Sequence, residues 1–403
     1  MPYRLKAFVA AFFLTLVSGA AAQMAHEHKA AETCTDLSLS CANSVTPVFA
    51  PDGILWIAAR VKDRLFVATS ADRGRSFSPP TLVTPEPLML DSSADGRQKI
   101  IVNRDGHVIV AFAVRDKKYN GRIFHARSID GGKTFSKPQP ITANEESQRF
   151  IAMAFDSNGD VFSAWVDKRN RPAAEARGEA YKGAALAYSW SNDGAAHFPE
   201  ARLLHEPACE CCRIDVAFAG PGCPVVLFRN IFEGSVRDHA IVTFTDRNTP
   251  GPVQRVSLDN WVIDACPHHG PSLAVAPSGS YHAAWYTNGP ARKGLFYAHS
   301  RDFGESFSEP VAIGRPDRAA GRPSLAASGR KIWIAWKEFD GVTTSILVMA
   351  SQDDGATWTE PKTVAETGDE SDHPILVSDG RRTYLSWQAR REGYRLLDLE
   401  EAS

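Results

Sequence analysis

Two short stretches concentrate the reactive side chains of this chain: Cys209-Glu210-Cys211-Cys212-Arg213, and the run Asn260-Trp261-Val262-Ile263-Asp264-Ala265-Cys266-Pro267-His268-His269-Gly270. Thiolate and imidazole are the ligands of Zn²⁺ and Cu⁺, the latter favouring soft sulfur. Cys209, Cys211, Cys212, Cys266, His268 and His269 therefore form one candidate set for copper or zinc. Disulfides are the alternative: four Cys allow three connectivities, and a bridge between the vicinal Cys211 and Cys212 needs a strained peptide. Of the seven Cys, Cys34 and Cys41 are expected to pair with each other, and Cys223 is the odd thiol.

A second constellation is cationic. Arg149, Arg213, Arg322 and His373 each stand where a repeating unit begins, and a ring of such groups suits a carboxylate or another anionic ligand. The plainer reading pairs each Arg with a carboxylate of the neighbouring unit. The insertion 167–183, with Arg169, Arg171, Glu175, Glu179 and Tyr181, is expected to overhang the site as a lid, and Arg229, Glu233, Arg237 and Asp238 occupy the next such loop. Glycoside chemistry on this face would use Asp264 as acid/base and Tyr181 or Tyr286 as nucleophile beside Glu179 or Glu233. Gly131-Gly132-Lys133-Thr134 imitates the end of a phosphate loop but lacks its earlier Gly, and it is set aside. His26 and His28 belong to a leader in which such a pair is most often solvent-exposed and idle.

The elements that must hold these residues are written as a repeat. Ser-x-Asp-x-Gly-x-x-aromatic occurs at Ser70–Phe77, Ser128–Phe135, Ser300–Phe307 and Ser351–Trp358, and in degenerate form at Ser191–Phe198, where Ala195 replaces the Gly. Asp folded back on backbone amides and a Gly with φ > 0 make an anchored hairpin turn. Around each turn lies a four-strand unit, of which 271–276, 281–286, 295–299 and 310–313 are the clearest. Units begin near Thr46, Gln98, Arg149, Arg213, Gly270, Arg322 and His373, so the chain reads as all-β: a single closed β-propeller of four-stranded antiparallel blades. Seven blades follow from this count, or six if one unit is irregular. The fourth lacks its Asp turn. The last lacks a fourth strand, which 36–40 could supply to close the ring. Trp56, Trp165, Trp285, Trp333, Trp336 and Trp387 recur on or beside the second strands, where they read as core between blades. With the Asp turns on one face, both reactive stretches are connections on the opposite rim, in adjacent units.

Residues 1–22 have the form of a secretory signal, with Arg4 and Lys6 before the apolar run 7–17 and Ala20-Ala21-Ala22 before Gln23. The expected organisation is signal peptide 1–22, leader 23–44 and propeller 45–403, exported to periplasm or medium without a membrane span. A net charge of −2 with both signs interspersed argues against a nucleic-acid partner.

Asp-turn repeats of this kind resemble those of the sialidase (neuraminidase) superfamily, where they are called Asp boxes or BNR repeats. The resemblance covers nearly the whole chain after the leader. It implies a propeller whose boxes are structural and lie away from the active site, and an active site with an Arg trio, an Asp acid/base and a Tyr–Glu nucleophile pair. The family's first Arg sits in a Phe-Arg-Ile-Pro-like motif on the first inner strand, and here that strand reads Val45-Thr46-Pro47-Val48. Two functions remain open: an exo-glycosidase of sialidase type acting on acidic glycans, or a non-catalytic propeller that binds metal or a partner through its Cys/His loops.

Overall fold

The structure, a computed structural model, describes residues 34–93 and 95–402. The expected signal peptide and most of the leader, His26 and His28 included, lie outside the described residues. From Thr35 onward, short β-rich runs cut by tight turns fold into seven antiparallel sheets, each a meander in chain order. The innermost strands are Ser44–Phe49, Lys99–Val102, Gln148–Phe155, Asp215–Gly220, Ser272–Val275, Gly321–Ser328 and Ile375–Ser378. They succeed one another around a central channel, and the first lies against the last. This is a seven-bladed propeller, and the six-blade alternative falls.

Five sheets have four strands. The fourth has five, because its outer edge is split into Thr249–Pro250 and Gln254–Arg255, and the seventh has three. The expected closing strand at 36–40 is not formed. Instead a 3₁₀ turn at Leu39–Cys41 joins Leu37 and Leu39 to the apolar cluster that includes Tyr394 and Leu396, so the last edge strand, Gly393–Asp398, is covered by side chains. Polar side chains close the ring. The Val45 amide donates to Asp372 Oδ2 (3.2 Å), and Arg97 donates to both Asp372 oxygens (2.9 and 2.6 Å).

Trp165, Trp285, Trp336 and Trp387 are fully buried between blades, as expected of core. Each indole N–H has an acceptor: Asp167 (3.1 Å), Asp259 (2.7 Å), Glu338 (2.9 Å) and the Asp372 carbonyl (2.9 Å), respectively. The ring drives burial and the N–H sets its orientation. Truncating such a ring costs about 3–5 kcal/mol.

All five Asp turns have one geometry. The Ser hydroxyl donates to the Asp (2.7–2.8 Å) and accepts the amide four residues on (2.7–3.0 Å). The Asp in turn accepts the amide four beyond itself at 2.8–3.0 Å. The hydroxyl and amide of Ser76 and Ser306 hold the carboxyls of Asp72 and Asp302 at about 2, below their usual 3.8. Two successive residues take φ > 0 in every turn, and in the degenerate copy the second is Ala195, at φ 61°. The hydrogen bonds override the missing Gly.

Candidate functional site

Two inner strands are broken at equivalent places on the rim opposite the Asp turns. In the third blade Phe150 and Ile151 face only Trp165, and in the sixth Arg322 and Pro323 face only Trp336. A bulge re-aims the side chains beside it. Phe150 (φ 57°) and Arg322 (φ 59°) take left-handed backbone there, and so does His268 (φ 51°) in the facing loop. Each such residue costs about 1–3 kcal/mol, and such strain gathers at functional sites.

The bulges turn Arg149 and Arg322 toward a cleft of about 330 Å³, which Asp91, Asp95, His268 and His373 also line. Asp95 is its hub. Arg213 donates to Asp95 Oδ1 (2.7 Å), Arg322 to Oδ2 (2.5 Å), and His373 Nδ1 lies 3.7 Å from Oδ1. The other donors of Arg213 hold the carbonyls of Pro271 (3.1 Å) and Pro323 (2.7 Å). This close approach needs Gly270, where a Cβ would lie 2.0 Å from Arg213 Cγ. Arg322 also donates to the His268 carbonyl, while Arg149 pairs with Asp91 (2.8 Å) and stays one-third exposed.

Burial, reinforced by Arg322, Arg97 and Arg213, pushes the pKa of His373 well below 6.5 and keeps the ring neutral. Burial and Arg322 bring His269 to about 3. Lys99, in the channel beneath, is lowered by burial to about 8. A second cleft of about 330 Å³ shares Arg149 and His268 with the first and extends past Tyr119, Lys168 and Arg171 to Cys211 and Cys266. Part of the 167–183 insertion forms a short helix, Arg171–Ala176, and Lys168 and Arg171 at its base are tied to Glu210 and Glu146.

No protein-family model matches the chain, and no curated protein does. Solved structures do. An ulvan lyase, described as a new polysaccharide-lyase family and bound to a GlcA–Rha3S unit, superposes with TM-score 0.57 over 89% of this chain and 94% of its own at 11% identity. A second polysaccharide lyase gives 0.54 over 94% and 92% at 10% identity. A leech intramolecular trans-sialidase complexed with 2,7-anhydro-Neu5Ac gives 0.50 over 86% and 83% at 11% identity. The fold is sialidase-like.

Within this sialidase-like fold the expected residues scatter. Arg149, Arg213 and Arg322 come together, but each is engaged by Asp91 or Asp95, so the plainer reading of paired Arg describes them. Asp264 does not enter the cleft: it is exposed and lies 3.8 Å from Arg237. Tyr181 is not beside Glu179. Burial and Glu206 push its hydroxyl up, while exposed Glu179 pairs with Arg177 at 2.7 Å. Glu233 begins a 3₁₀ turn, Glu233–Ser235, with an exposed side chain. Tyr286 stacks on His269 at 4.1 Å, and its carbonyl accepts from Arg229. No Tyr–Glu pair is assembled at these positions, because Glu179 and Glu233 are exposed while Tyr181 and Tyr286 take other neighbours, Glu206 and His269.

Cys34 and Cys41 are disulfide-bonded, and the other five Cys are free. The disulfide alternative for the rim is therefore not realised. Cys209, Cys211 and Cys212 converge, Cys266 is exposed on the second cleft, and His268 and His269 stand apart from the three sulfurs' cluster. Buried Arg229 is structural, holding the carbonyls of Arg237 (2.8 Å), His269 (3.0 Å) and Tyr286 (2.9 Å). The sequence reasoning missed Asp91 and Asp95. Asp95-Gly96-Arg97 just ahead of an inner strand was the available signal, since that connection lies on the same rim as the Arg set.

Proposed function

We propose that this chain is an exported, carbohydrate-active propeller that binds the anionic unit of an acidic glycan in the cleft between Asp95 and Arg149. One observation carries the reading: Arg149 and Arg322 are delivered to a single cleft by two strained bulges. Guanidinium forks are matched to carboxylate and sulfate oxygens, and the partly exposed Arg149 is placed to meet them first. Sharing a fold with glycan-processing enzymes supports a sugar as the ligand, and the disulfide-bonded Cys34 and Cys41 support export. Because guanidiniums occupy both carboxylates, exposed His268, at the junction of the two clefts, is the group placed to move a proton.

The test is a panel of uronate-bearing polysaccharides, sialylated glycans and a neutral glucan, with binding measured directly and products read by mass. Acidic glycans bind and the neutral one does not, and Arg149→Met weakens binding by about tenfold or more, as loss of a charge-assisted pair does. Product mass separates hydrolysis, which adds water, from elimination, which does not. Equal binding of neutral and acidic glycans, or an Arg149→Met protein that binds normally, overturns the reading. Binding without product retains the ligand and removes the enzyme.

A further inference from the structure

Three thiols meet beneath the second cleft. Cys209 Sγ lies 3.4 Å from Cys211 Sγ and 3.7 Å from Cys212 Sγ, and all three sulfurs fall within 4.8 Å of one another. All are buried and none is bridged. A disulfide needs about 2.05 Å. Three sulfurs around one ion, each bonded at about 2.3 Å, stand about 3.8–4.0 Å apart, close to what is seen. The Cys209 amide is anchored on the Arg229 carbonyl at 2.9 Å, which fixes the start of the loop.

The surroundings are charged for an anionic cluster. Arg237 NH1 donates to Cys209 Sγ at 3.5 Å, and Arg229, 1% exposed, is near enough for its charge to act on both Cys209 and Cys212. The Arg237 carboxylate neighbour is Asp264, exposed and 3.8 Å away, and the hydrogen-bond acceptors of Arg229 are carbonyls. Buried cations of this kind need compensating charge. Three thiolates around one monovalent ion carry −2, which two guanidiniums balance.

We propose that Cys209, Cys211 and Cys212 form a three-thiolate site for a single Cu⁺ ion. Structural Zn²⁺ asks for a tetrahedral fourth ligand. The sequence offers His268, His269 and Cys266, but His269 is stacked on Tyr286, and His268 and Cys266 are exposed on the cleft wall outside the three-sulfur group. Soft sulfur in a three-coordinate pocket selects Cu⁺.

The purified, reduced protein is titrated anaerobically with Cu⁺ against a chromophoric Cu⁺ chelator. One ion binds per chain with a thiolate-to-copper ultraviolet band, and Cys209, Cys211 and Cys212 become resistant to alkylation while Cys223 and Cys266 stay reactive. Cys211→Ser lowers the affinity by more than the roughly 10–100-fold that a lost outer-shell partner costs. Cys223→Ser and Cys266→Ser leave it unchanged. Should Cys211→Ser fail to fold, the one-ion stoichiometry and the ultraviolet band of the unmodified sequence, compared with its metal-free form, decide alone. Failure to compete with the chelator, preferential binding of Zn²⁺ with loss of Cys266 reactivity, or unprotected cluster thiols overturns the proposal. None of these readouts depends on a glycan.

Discussion

The two faces of this propeller are built on opposite plans. In every Asp turn the motif Ser and Asp side chains satisfy each other locally: their hydrogen bonds join residues two to four apart, as from Ser300 to Asp302 and from Ser306 to Asp302. The network around Asp95 and Arg97 on the opposite rim is long-range. Asp95 meets Arg213 across 118 residues and Arg322 across 227, and Arg97 meets Asp372 across 275. One face is therefore a repeated module that tolerates a defective copy, as Ala195 shows. The other is a single network in which each member depends on blades far away in the chain. Strain follows the same division, for Phe150, His268 and Arg322 have no local partner motif to hold them and are held by the ring.

The largest break in that comparison is Asp95→Ala. It leaves two largely buried guanidiniums without their shared carboxylate, and chemical denaturation should show a loss of about 3–5 kcal/mol. A loss no greater than that of a turn mutant would mean the rim is no network. Acid should next separate the faces. His239, His269 and His373 are kept neutral by burial, with Arg229, Arg322 and Arg213 adding to it, and Asp95 opposes the shift at His269. Their folded pKa values lie below 6.5, so the unfolded chain binds protons that the native rim refuses. The stability they provide is complete above pH 6.5 and is lost as pH falls toward about 3, the folded value of His269. Asp72 and Asp302, lowered from 3.8 to about 2, lose theirs only between those values. Melting temperature should therefore begin to fall below pH 6.5, and His269→Phe, which keeps a ring against Tyr286, should flatten the curve between pH 6.5 and 3.

Smaller effects belong to the modular face. Asp302→Ala should lower the melting temperature by only about 2–4 °C and leave glycan binding unchanged. Altered binding would place that turn in the site. Smallest of all is Ala195→Gly, which relieves the left-handed strain of an L-residue. It should raise stability by less than about 1 kcal/mol in the same assay, and a fall would show that the buried methyl matters more than φ.

The amino-acid sequence by itself determined the blades and their turns. The eight residues from Ser128 to Phe135 carry the side-chain donors and acceptors that the turn uses, those of Ser128, Asp130 and Thr134, and the tryptophans of the second strands announce the core by recurring at the repeat. It also determined which loops share the rim, because strand order alone sends successive connections to one end. Tertiary structure decided the rest. Whether Arg149 meets Asp91, whether Tyr181 meets Glu179 or Glu206, and whether three Cys converge without Cys266 depend on bulges of one residue and on the rotation of one blade against the next. Those are long-range packing outcomes. A charged side chain chooses among partners from several blades by burial and geometry, and neither is encoded in the few residues that flank it.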